Sequence, residues 1–425
     1  MAGELTISQA NGLLKTVYGT DLIQVLPEAA ILQKRYPLSS DVPLVGDHYE
    51  VPVAVRMPGG HSFNGSAGGV VALNGPLAGK TLPAQVVPYE YVLREQISYG
   101  LLDRAKNGGQ QAFMSAMAFE GKMMALSARN VQEITTLHGR EGIGTVNGAI
   151  ASHVITLSAA SLAPGILAIL EGQRIDVFQS DLSTKRALNL LVSAVDVDAG
   201  TVTVIDLGMT GADAGAEDDA AVTTNDVLFF SGQLTNGGTF NEQIGLGKQL
   251  SATTGTQFNI DKAANSAWRA TQLTSVGEFT VSALVRGAVK TMNRGFASGE
   301  LLAVMPPRAW GVIDSALATN ETFPSGYSAT KKTGADEIEV RANGIRISCI
   351  PHPFQKQGQV YLLPADHIKR VGAVDMTFAK AGSSDEFLRD VPGYNAMERQ
   401  CRSQWQMFLE RPSYAAILTG ITYSE

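Results

Sequence analysis

Residues 47–98 read DHYEVPVAVRMPGGHSFNGSAGGVVALNGPLAGKTLPAQVVPYEYVLREQIS, and this stretch decides how the rest of the chain is interpreted. Its two ends, 48–56 and 82–99, have the composition of strands, so the pattern predicts a long β-hairpin. The loop between them, 57–81, is rich in glycine, which predicts a flexible tip. Three prolines remove backbone donors and favour a position at a sheet edge: Pro52, Pro83 and Pro88.

This hairpin is expected to project beyond its own subunit. A continuous strand over residues 82–99 would extend about 55 Å, whereas a compact domain of the whole chain would have a radius of gyration of about 22 Å. An isolated two-stranded hairpin is only marginally stable in water. We therefore expect the hairpin to complete its packing on neighbouring copies of the chain.

The hairpin lies between an arm and a long helix. Prolines divide residues 1–46 into short stretches, which predicts an arm that buries little surface. A single apolar stripe predicts a helix over residues 109–138, with Asn107-Gly108 as its cap and Gly139 at its end. The stripe consists of Ala112, Ala116, Phe119, Met123, Leu126, Ile134 and Leu137.

Length and composition limit the class of protein. A chain of 425 residues is expected to form two or three domains. Its apolar fraction of 44% and charged fraction of 17% are typical of a globular protein, and it has no apolar run long enough to span a membrane. The first residues do not resemble a secretory signal. The two cysteines, Cys349 and Cys401, are expected to be buried and reduced.

Charge is unevenly distributed. Residues 187–247 contain nine acids and no Lys, Arg or His, so this stretch has a charge of −9. The net charge of the whole chain is −7, so the remaining residues sum to +2. We interpret it as a solvated acidic face, unsuited to gripping nucleic acid. A calcium loop at residues 211–220 is the alternative, although the acids lack the alternating spacing of such loops. The acids are Asp196, Asp198, Asp206, Asp213, Glu217, Asp218, Asp219, Asp226 and Glu242.

The middle of the chain is predicted to be β-rich and the remainder to mix helices with strands. Residues 150–235 contain a strand pair that turns at 198–200, and they are expected to form an inserted unit. Two helices are predicted next, one from Phe279 to Met292 and one that begins at Pro306-Pro307. Apolar and polar residues alternate along 397–409, which predicts a long strand with one buried face, and YAAILTGI predicts a final core strand.

This organisation resembles that of a known family. In the order of its elements and in local sequence, the chain resembles tailed-bacteriophage major capsid proteins of the Hong Kong 97 type. The segments that carry the resemblance are the helix FMSAMAFEGKMMALSARNVQEITTLHG, the segment YLLPADHIKRVG and the C-terminal segment NAMERQCRSQWQMFLERPSYAAILTGI. The resemblance covers the chain outside residues 150–235. It implies an α+β, Hong Kong 97-like capsid fold with an N-terminal arm, an extended β-hairpin loop, a peripheral domain, an axial α/β domain and an inserted β-rich domain.

The resemblance also implies a division of the chain. The expected parts are an arm at 1–46, the extended loop at 47–98, a peripheral domain with a spine helix at 99–149, an acidic β-rich insertion at 150–235, an axial domain at 236–372, peripheral strands at 373–412 and a terminal axial strand at 413–425. The insertion would face outward, away from packaged DNA.

The function implied is that of a major capsid protein, which self-assembles into the icosahedral head shell around a double-stranded DNA genome. Its partners would be copies of itself in hexamers and pentamers, a scaffolding protein, a portal and a candidate decoration protein. DNA would be enclosed without sequence-specific binding, and assembly would take place in the bacterial cytoplasm. A short arm after Met1 suggests either a separate scaffolding protein or a processed form. The alternatives are an encapsulin-type nanocompartment shell and, third, an α/β enzyme.

No catalytic, cofactor or metal site is expected. GPLAGKT (75–81) departs from a phosphate-binding loop in spacing and precedes Leu82-Pro83 rather than a helix, and the six histidines show no metal-ligand spacing. The candidate self-assembly residues are those of the loop tip: Gly59, Gly60, Gly65, Gly68, Gly69 and Lys80.

The resemblance also implies a candidate covalent cross-link between subunits. Some capsids of this type join a lysine of the loop to an asparagine of a neighbouring subunit with the help of a glutamate. The residues here would be Lys80, Asn395 and Glu398. The alternative is a solvated lysine and a turn asparagine.

Overall fold

The computed structural model describes residues 30–39, 42–63, 70, 72–100, 110–159, 169–205, 221–320, 338–342, 344–378 and 388–423. The side chains of residues 110–120, 317–320 and 388 lie outside this description. So do the predicted cap at Asn107-Gly108, most of the arm and the candidate calcium loop.

Five helices are present in the described residues, numbered in chain order. They are α1 (Ile31–Arg35), α2 (Gln110–His138), α3 (Leu246–Ser251), α4 (Val281–Met292) and α5 (Pro307–Asn320). The predicted long helix is confirmed as α2 and is followed by Gly139, as expected. Helix α4 begins later than predicted because the side chain of Thr280 accepts a hydrogen bond from Ala283 N and caps it. Phe279 therefore lies outside the helix, where it is buried.

A six-stranded mixed sheet forms the centre of the molecule, and we call it the central sheet. In spatial order its strands are β14 (Thr271–Leu273), β23 (Ala416–Thr419), β19 (Gln359–Pro364), β16 (Glu300–Met305), β18 (Ile345–Pro351) and β17 (Ile338–Ala342). The pairs β14–β23 and β16–β18 are parallel and the others antiparallel. The predicted final core strand is confirmed as β23, next to β19. Two short pairs lie outside this sheet: β12 (Thr256–Gln257) with β13 (Ile260–Asp261), and β15 (Gly277–Glu278) with β24 (Ile421–Thr422).

Helices cover both faces of the central sheet. Side chains alternate along β16, so Leu302 and Val304 point to one face, while Leu301 and Ala303 point to the other. The first face shares a hydrophobic core with the end of α2 and with α3, through residues such as Leu137 and Leu250. The second face packs on α4 and α5. The order of layers is therefore α2 and α3, central sheet, then α4 and α5.

The β-rich stretch forms its own antiparallel sheet, the insertion sheet. In spatial order its strands are β6 (Gly144–Thr145), β11 (Val227–Phe230), β8 (Arg174–Phe178), β9 (Lys185–Asp196), β10 (Thr201–Ile205) and β7 (Val154–Thr156). The predicted strand pair is confirmed as β9 and β10, which join through a turn at residues 197–200. The sheet already begins at Gly144, and its core is continuous with the α2 side of the central sheet.

The interpretation of residues 82–99 as one hairpin strand is wrong. The hairpin consists of β3 (His48–Arg56) and β4 (Lys80–Val86), with the two-residue β2 (Leu44–Val45) beside β3. The chain leaves the strand at Val87-Pro88, because Pro88 has no backbone N–H to continue the ladder. A new strand, β5 (Tyr89–Ser98), then pairs with a different part of the chain.

That partner belongs to a sheet built around the longest strand, and we call it the long-strand sheet. Its strands are β1 (Leu38–Ser39), β20 (Ile368–Phe378), β22 (Ala396–Leu409) and β21 (Leu388–Asp390), with β5 on the other side of β22. The predicted strand at 397–409 is confirmed as β22, but the expected single buried face holds only for its first part. From Trp405 to Leu409 every residue is buried, since β20, α3 and the central core surround this end.

The expectation of a uniformly solvated acidic face is also wrong for the residues that can be assessed. Asp226 is buried, forms an ion pair with Arg186 at 3.3 Å and accepts a hydrogen bond from Thr223 N at 2.7 Å. Glu242 is buried as well. Asp196 and Asp198 are exposed as predicted. The remaining five acids, between positions 206 and 219, lie outside the described residues.

Cys349 and Cys401 are both free and buried, which confirms that part of the prediction. No described helix is both long and apolar enough to cross a membrane.

Candidate assembly surfaces

The base of the hairpin is firmly packed. Tyr49 and Val86 are buried in a cluster with Trp268 and with Phe258 and Phe408, whose rings meet edge to face at 5.1 Å between centroids. The backbone N–H of Gln85 donates to the carbonyl of Phe258 at 3.0 Å, which extends the hydrogen-bonded ladder past β4. The base is therefore fixed to the body of the protein.

The prolines of the hairpin face each other across the two strands. Pro52 of β3 lies opposite Pro83 of β4, and neither has a backbone N–H. Strand β2 pairs with His48 and Tyr49, and no strand of the described residues lies on the outer side of Pro52. This arrangement confirms the predicted edge character of the hairpin.

Apolar side chains are unusually exposed along the hairpin and its flanks. Of the twelve large apolar side chains that are exposed in the described part of the chain, nine lie between positions 44 and 92. These are Leu44, Val45, Met57, Phe63, Val70, Leu73, Leu77, Val87 and Val92. Contiguous exposed apolar surface in a soluble protein marks a contact site. The hairpin therefore presents a surface that a single copy of the chain leaves uncovered.

The described part of the tip has its own cross-loop structure. Gly59 N donates to Leu77 O at 2.8 Å, and Asn74 Nδ2 donates to His61 O at 2.7 Å. Gly60 has a φ of 90°, and a Cβ at this position would lie 2.8 Å from Gly75 O, so the turn requires glycine. The remaining predicted tip residues, Gly65, Gly68 and Gly69, lie outside the described residues.

Within one chain the structure does not bring the three candidate cross-link residues together. Lys80 is exposed at the start of β4, opposite Arg56. Asn395 is exposed just before β22, and Glu398 lies within β22, where its carboxylate accepts a hydrogen bond from Gln400 Nε2 at 2.6 Å. A bond between subunits would join residues of different copies, so the cross-link stays a prediction.

A buried carboxylate fastens the arm to the long helix. Glu133, on α2, is fully buried and accepts hydrogen bonds from Leu32 N at 2.6 Å and Gln33 N at 3.2 Å, the first amides of α1. His352 Nε2 lies 3.1 Å from the same carboxylate. A carboxylate at a helix N-terminus satisfies amides that have no partner within the helix. Glu133 thus connects the arm, the long helix and the loop after β18.

The sequence analysis missed this role of Glu133, which lies off the apolar stripe. Residues 131–139, VQEITTLHG, contain one carboxylate and no Lys or Arg. That low charge is the available signal, because a helix segment with few charges on any side is suited to burial all round. Residues 132–139 are indeed all buried.

The two connections between the insertion sheet and the body meet at a pair of glycines, and we call this point the neck. Gly139, where the chain enters the insertion, and Gly245, where it returns, contact each other through the hydrogen bond from Gly245 N to Gly139 O at 3.0 Å. A Cβ on either residue would lie 3.0 Å or less from the backbone of the other segment. The two connections can therefore cross only because neither residue has a side chain.

Replacing Gly245 by alanine is expected to lower the free energy of unfolding by about 1–3 kcal/mol, since an added methyl group must push the two chains apart. Thermal unfolding measures the effect. Gly311→Ala is the matched control, because a Cβ there meets no atom within 4 Å and lies inside helix α5. The crossing would be unimportant if Gly245→Ala were as stable as the unchanged protein.

A buried carboxyl group, that of Glu242, lies at the same neck. Arg140 N donates to Glu242 Oε1 at 2.7 Å, and the guanidinium of Arg140 donates to the hydroxyl of Tyr89. Burial raises the pKa of Glu242 from its ordinary 4.5 to about 8, against the opposing effect of the Arg140 amide and charge. The Glu242 carboxyl is therefore mostly protonated at neutral pH.

Glu242 predicts a pH dependence of stability. Its pKa is higher in the folded than in the unfolded state, so the folded state holds this proton more tightly, and stability falls as pH rises from about 5 to 8. The loss amounts to roughly 1 kcal/mol per pH unit over that window. Glu242→Gln, which mimics the protonated form, is expected to flatten the dependence.

The midpoint of urea-induced unfolding, measured between pH 5 and pH 8, checks this expectation. Glu171→Gln, at an exposed position of the insertion, is the control and should leave the pH profile unchanged. A profile for Glu242→Gln that overlays that of the unchanged protein would remove Glu242 as its cause.

The last residue of the long helix, His138, has a neutral side chain where it meets the central sheet. His138 is fully buried, and burial, followed by the nearby charge of Lys356, holds its pKa well below the ordinary value. The neutral ring donates through Nε2 to Phe354 O at 2.9 Å, which leaves Nδ1 to accept from the hydroxyl of Tyr361 at 3.3 Å. Burial also lowers the pKa of Lys356, while Glu141 and Glu242 oppose that shift.

A cleft of about 340 Å³ lies between β5, the long helix and the neck. Three of the residues that line the cleft each have a buried polar atom without a hydrogen-bond partner among the described residues. These atoms are Gln132 Oε1, Gln243 Oε1 and Trp405 Nε1. No group of three His, Cys, Asp or Glu suited to a metal ion occurs in the part of the chain that the structure describes.

The sequence matches no protein-family model and no curated protein sequence. Several solved structures are similar in fold. The chain in the cyanophage A-1(L) capsid asymmetric unit superposes with a TM-score of 0.53 at 10% identity, over 97% of this chain and 98% of that one. Chains of the native GTA particle capsid (TM-score 0.47, 8% identity, 99% and 100% covered) and of the Myoviridae phage XM1 capsid (0.43, 8%, 99% and 100%) are also similar.

Of these three similarities, the first exceeds a TM-score of 0.5 and extends over nearly the full length of both chains. At 10% identity it concerns the fold alone. The chain therefore has a capsid-like α+β fold, shared with the chain of the cyanophage A-1(L) capsid asymmetric unit.

Proposed function

We propose that this chain is the major capsid protein of a tailed bacteriophage, and that copies of it assemble into an icosahedral head shell around double-stranded DNA. The observation that carries the proposal is the structure of the hairpin. Its base is packed on the body, whereas most of the exposed large apolar side chains of the described residues lie along the hairpin and its flanks. The shared fold with the cyanophage capsid chain supports the same conclusion.

In the proposed mechanism the hairpin of each copy lies over an adjacent copy. Covering one large apolar side chain such as Phe63 or Leu73 stabilises a contact by about 1.5–3 kcal/mol, and both are exposed here. Each contact can be weak, because a closed shell repeats it around every copy and makes later contacts effectively intramolecular. No chemical step is needed, so assembly depends on geometry and burial alone.

The proposed layout is that of the Hong Kong 97 type. The hairpin of β3 and β4 would be the extended loop, and α2 with the long-strand sheet would be the peripheral domain. In this layout β5 belongs to the peripheral domain, because it pairs with β22. The central sheet with α3, α4 and α5 would form the axial domain, and the insertion sheet would face outward.

The proposed partners are other copies in hexamers and pentamers, a scaffolding protein, a portal and a decoration protein. Assembly would take place in the cytoplasm of the bacterial host. None of these partners requires a catalytic group on this chain.

Electron microscopy of the purified protein, together with analytical ultracentrifugation, tests the proposal. We expect closed, uniform shells or capsomers in equilibrium with the free chain. A chain that remains monomeric at high concentration, with the hairpin amides fully protected from hydrogen exchange, would contradict it. Shells filled with a co-purifying enzyme would contradict the viral role and support a nanocompartment.

A further inference from the structure

Helix α4 has one buried face and one basic face. Ala283, Leu284 and Ala288 pack on the central sheet, whereas Arg286 and Lys290, one turn apart, are exposed on the opposite side. Arg294 lies in the turn just past the end of α4 and is also exposed. We call Arg286, Lys290 and Arg294 the basic face.

No acid of the described residues is paired with the basic face. Among the described residues, none of its three side chains forms an ion pair with a carboxylate, and Arg294 Nη1 instead donates to the carbonyl of Arg269 at 2.6 Å. Residues 279–299 contain three Lys and Arg, those of the basic face, and no acid, so this stretch carries +3 in a chain of net charge −7. The positive charge is therefore concentrated locally, in a protein that is acidic as a whole.

The layers of the fold separate the basic face from the acid-rich insertion. Helix α4 packs on one face of the central sheet, and the core of the insertion sheet is continuous with the other face. In a closed shell every copy turns the same side outward. The insertion of a neighbouring copy therefore lies on the wrong side to neutralise the basic face, which favours a partner that is not a second copy of this chain.

We propose that the basic face of α4 binds the phosphodiester backbone of duplex nucleic acid enclosed by the shell. This inference rests on the proposed function for the presence of nucleic acid on that side. Arg286 and Lys290 are about 6 Å apart along the helical rise, and Arg294 lies in the turn beyond the helix. A duplex carries one phosphate charge per about 1.7 Å of its axis, so each of the three cations can meet a phosphate. Long, flexible cationic side chains on a convex helix contact phosphates rather than base edges, so no sequence preference is expected.

The test measures binding of a fluorescein-labelled 30-base-pair duplex of mixed sequence to the full-length chain, below the concentration at which it assembles. Three phosphate contacts predict that log K falls with log salt concentration at a slope of about −2.7, or roughly 40-fold between 50 and 200 mM salt. The triple variant R286Q/K290Q/R294Q should lose that slope. Arg286→Gln alone should reduce the slope by about 0.9.

The matched control is K122Q/R129Q/R402Q, which removes three exposed cations elsewhere and gives the same net charge. It should keep the salt slope of the unchanged chain. An unchanged slope in R286Q/K290Q/R294Q, or an equal loss in the control, would overturn the inference.

Electron microscopy of the same proteins separates this result from the proposed function. If the unchanged chain and R286Q/K290Q/R294Q both form shells while their salt slopes are equal, the inference fails and the proposed function stands. If the unchanged chain forms no shells, the proposed function fails, and with it the inference that rests on it, whatever the duplex measurement gives.

Discussion

Replacing Phe63 and Leu73 together by aspartate is expected to abolish shell assembly while leaving the folded chain intact. The two side chains are 90% and 85% exposed in the single copy, and the ring contact of Phe63 is with His61 in the same loop, at 6.5 Å between centroids. The substitutions therefore remove little internal packing and should change the free energy of unfolding by less than about 0.5 kcal/mol. In the proposed shell the same positions would be covered by a neighbour. An unpaired carboxylate in such a contact loses its hydration and costs several kcal/mol, and the shell repeats that cost at every copy.

Sedimentation and electron microscopy measure the assembled fraction, and thermal unfolding checks the fold. Val197→Asp is the matched control, because Val197 is 58% exposed but lies in the turn between β9 and β10 of the insertion sheet. It should assemble normally, although it also introduces a carboxylate at an exposed apolar position, one where the double variant introduces two. Normal shells from the double variant would show that the hairpin does not mediate the contact.

Local patterns in the sequence were sufficient for the elements that depend on neighbouring residues. Strand β3, the long helix α2, the β9–β10 turn and strand β22 follow from composition and periodicity, and they lie where the sequence predicts. The break at Val87-Pro88 had a local signal in the proline, which was interpreted as an edge rather than as the end of a strand. These are the parts of the fold in which the short-range signal is strong.

Long-range pairing could not be predicted in this way. Tyr89–Ser98 pairs with Ala396–Leu409, about three hundred positions further along the chain, and nothing in either segment specifies the other. Buried Glu242 likewise accepts a hydrogen bond from the backbone of Arg140, 102 positions earlier, at the other side of the insertion. An acid-rich stretch is normally solvated, so the sequence alone favoured the wrong environment for this residue.

The candidate assembly surface was partly predictable. A glycine-rich hairpin that cannot be stable alone already indicates a partner, and the exposed apolar side chains agree with that interpretation. The structure was needed to show that those side chains are exposed and do not pack against the body. Burial of polar residues such as Gln132 and Gln243 around the neck also depends on how the insertion meets the long helix.

Replacing Glu133 by alanine is expected to give the largest loss of stability among single substitutions at the arm. The fully buried carboxylate accepts hydrogen bonds from Leu32 N and Gln33 N and contacts His352 Nε2. Alanine leaves these donors buried without an acceptor, and breaking a buried pair of this kind costs about 3–5 kcal/mol. Because two of the donors are the first amides of α1, the arm should detach from the long helix before the rest of the chain unfolds.

Hydrogen exchange provides the specific readout. The amides of Leu32 and Gln33 should exchange much faster in Glu133→Ala, whereas amides within the central sheet should keep their protection. Glu133→Gln, which retains one acceptor oxygen, should give an intermediate result. The control is Glu339→Ala, since Glu339 pairs with Arg341 and Arg346 at the surface and is expected to contribute less than about 1 kcal/mol. Equal losses of stability in Glu133→Ala and Glu339→Ala, with both arm amides still protected, would mean that the buried carboxylate does not hold the arm. If the arm does detach as expected, Glu133 links the first described residues of the chain to the helix on which the whole body is built, and its loss should also impair assembly without any change at the hairpin.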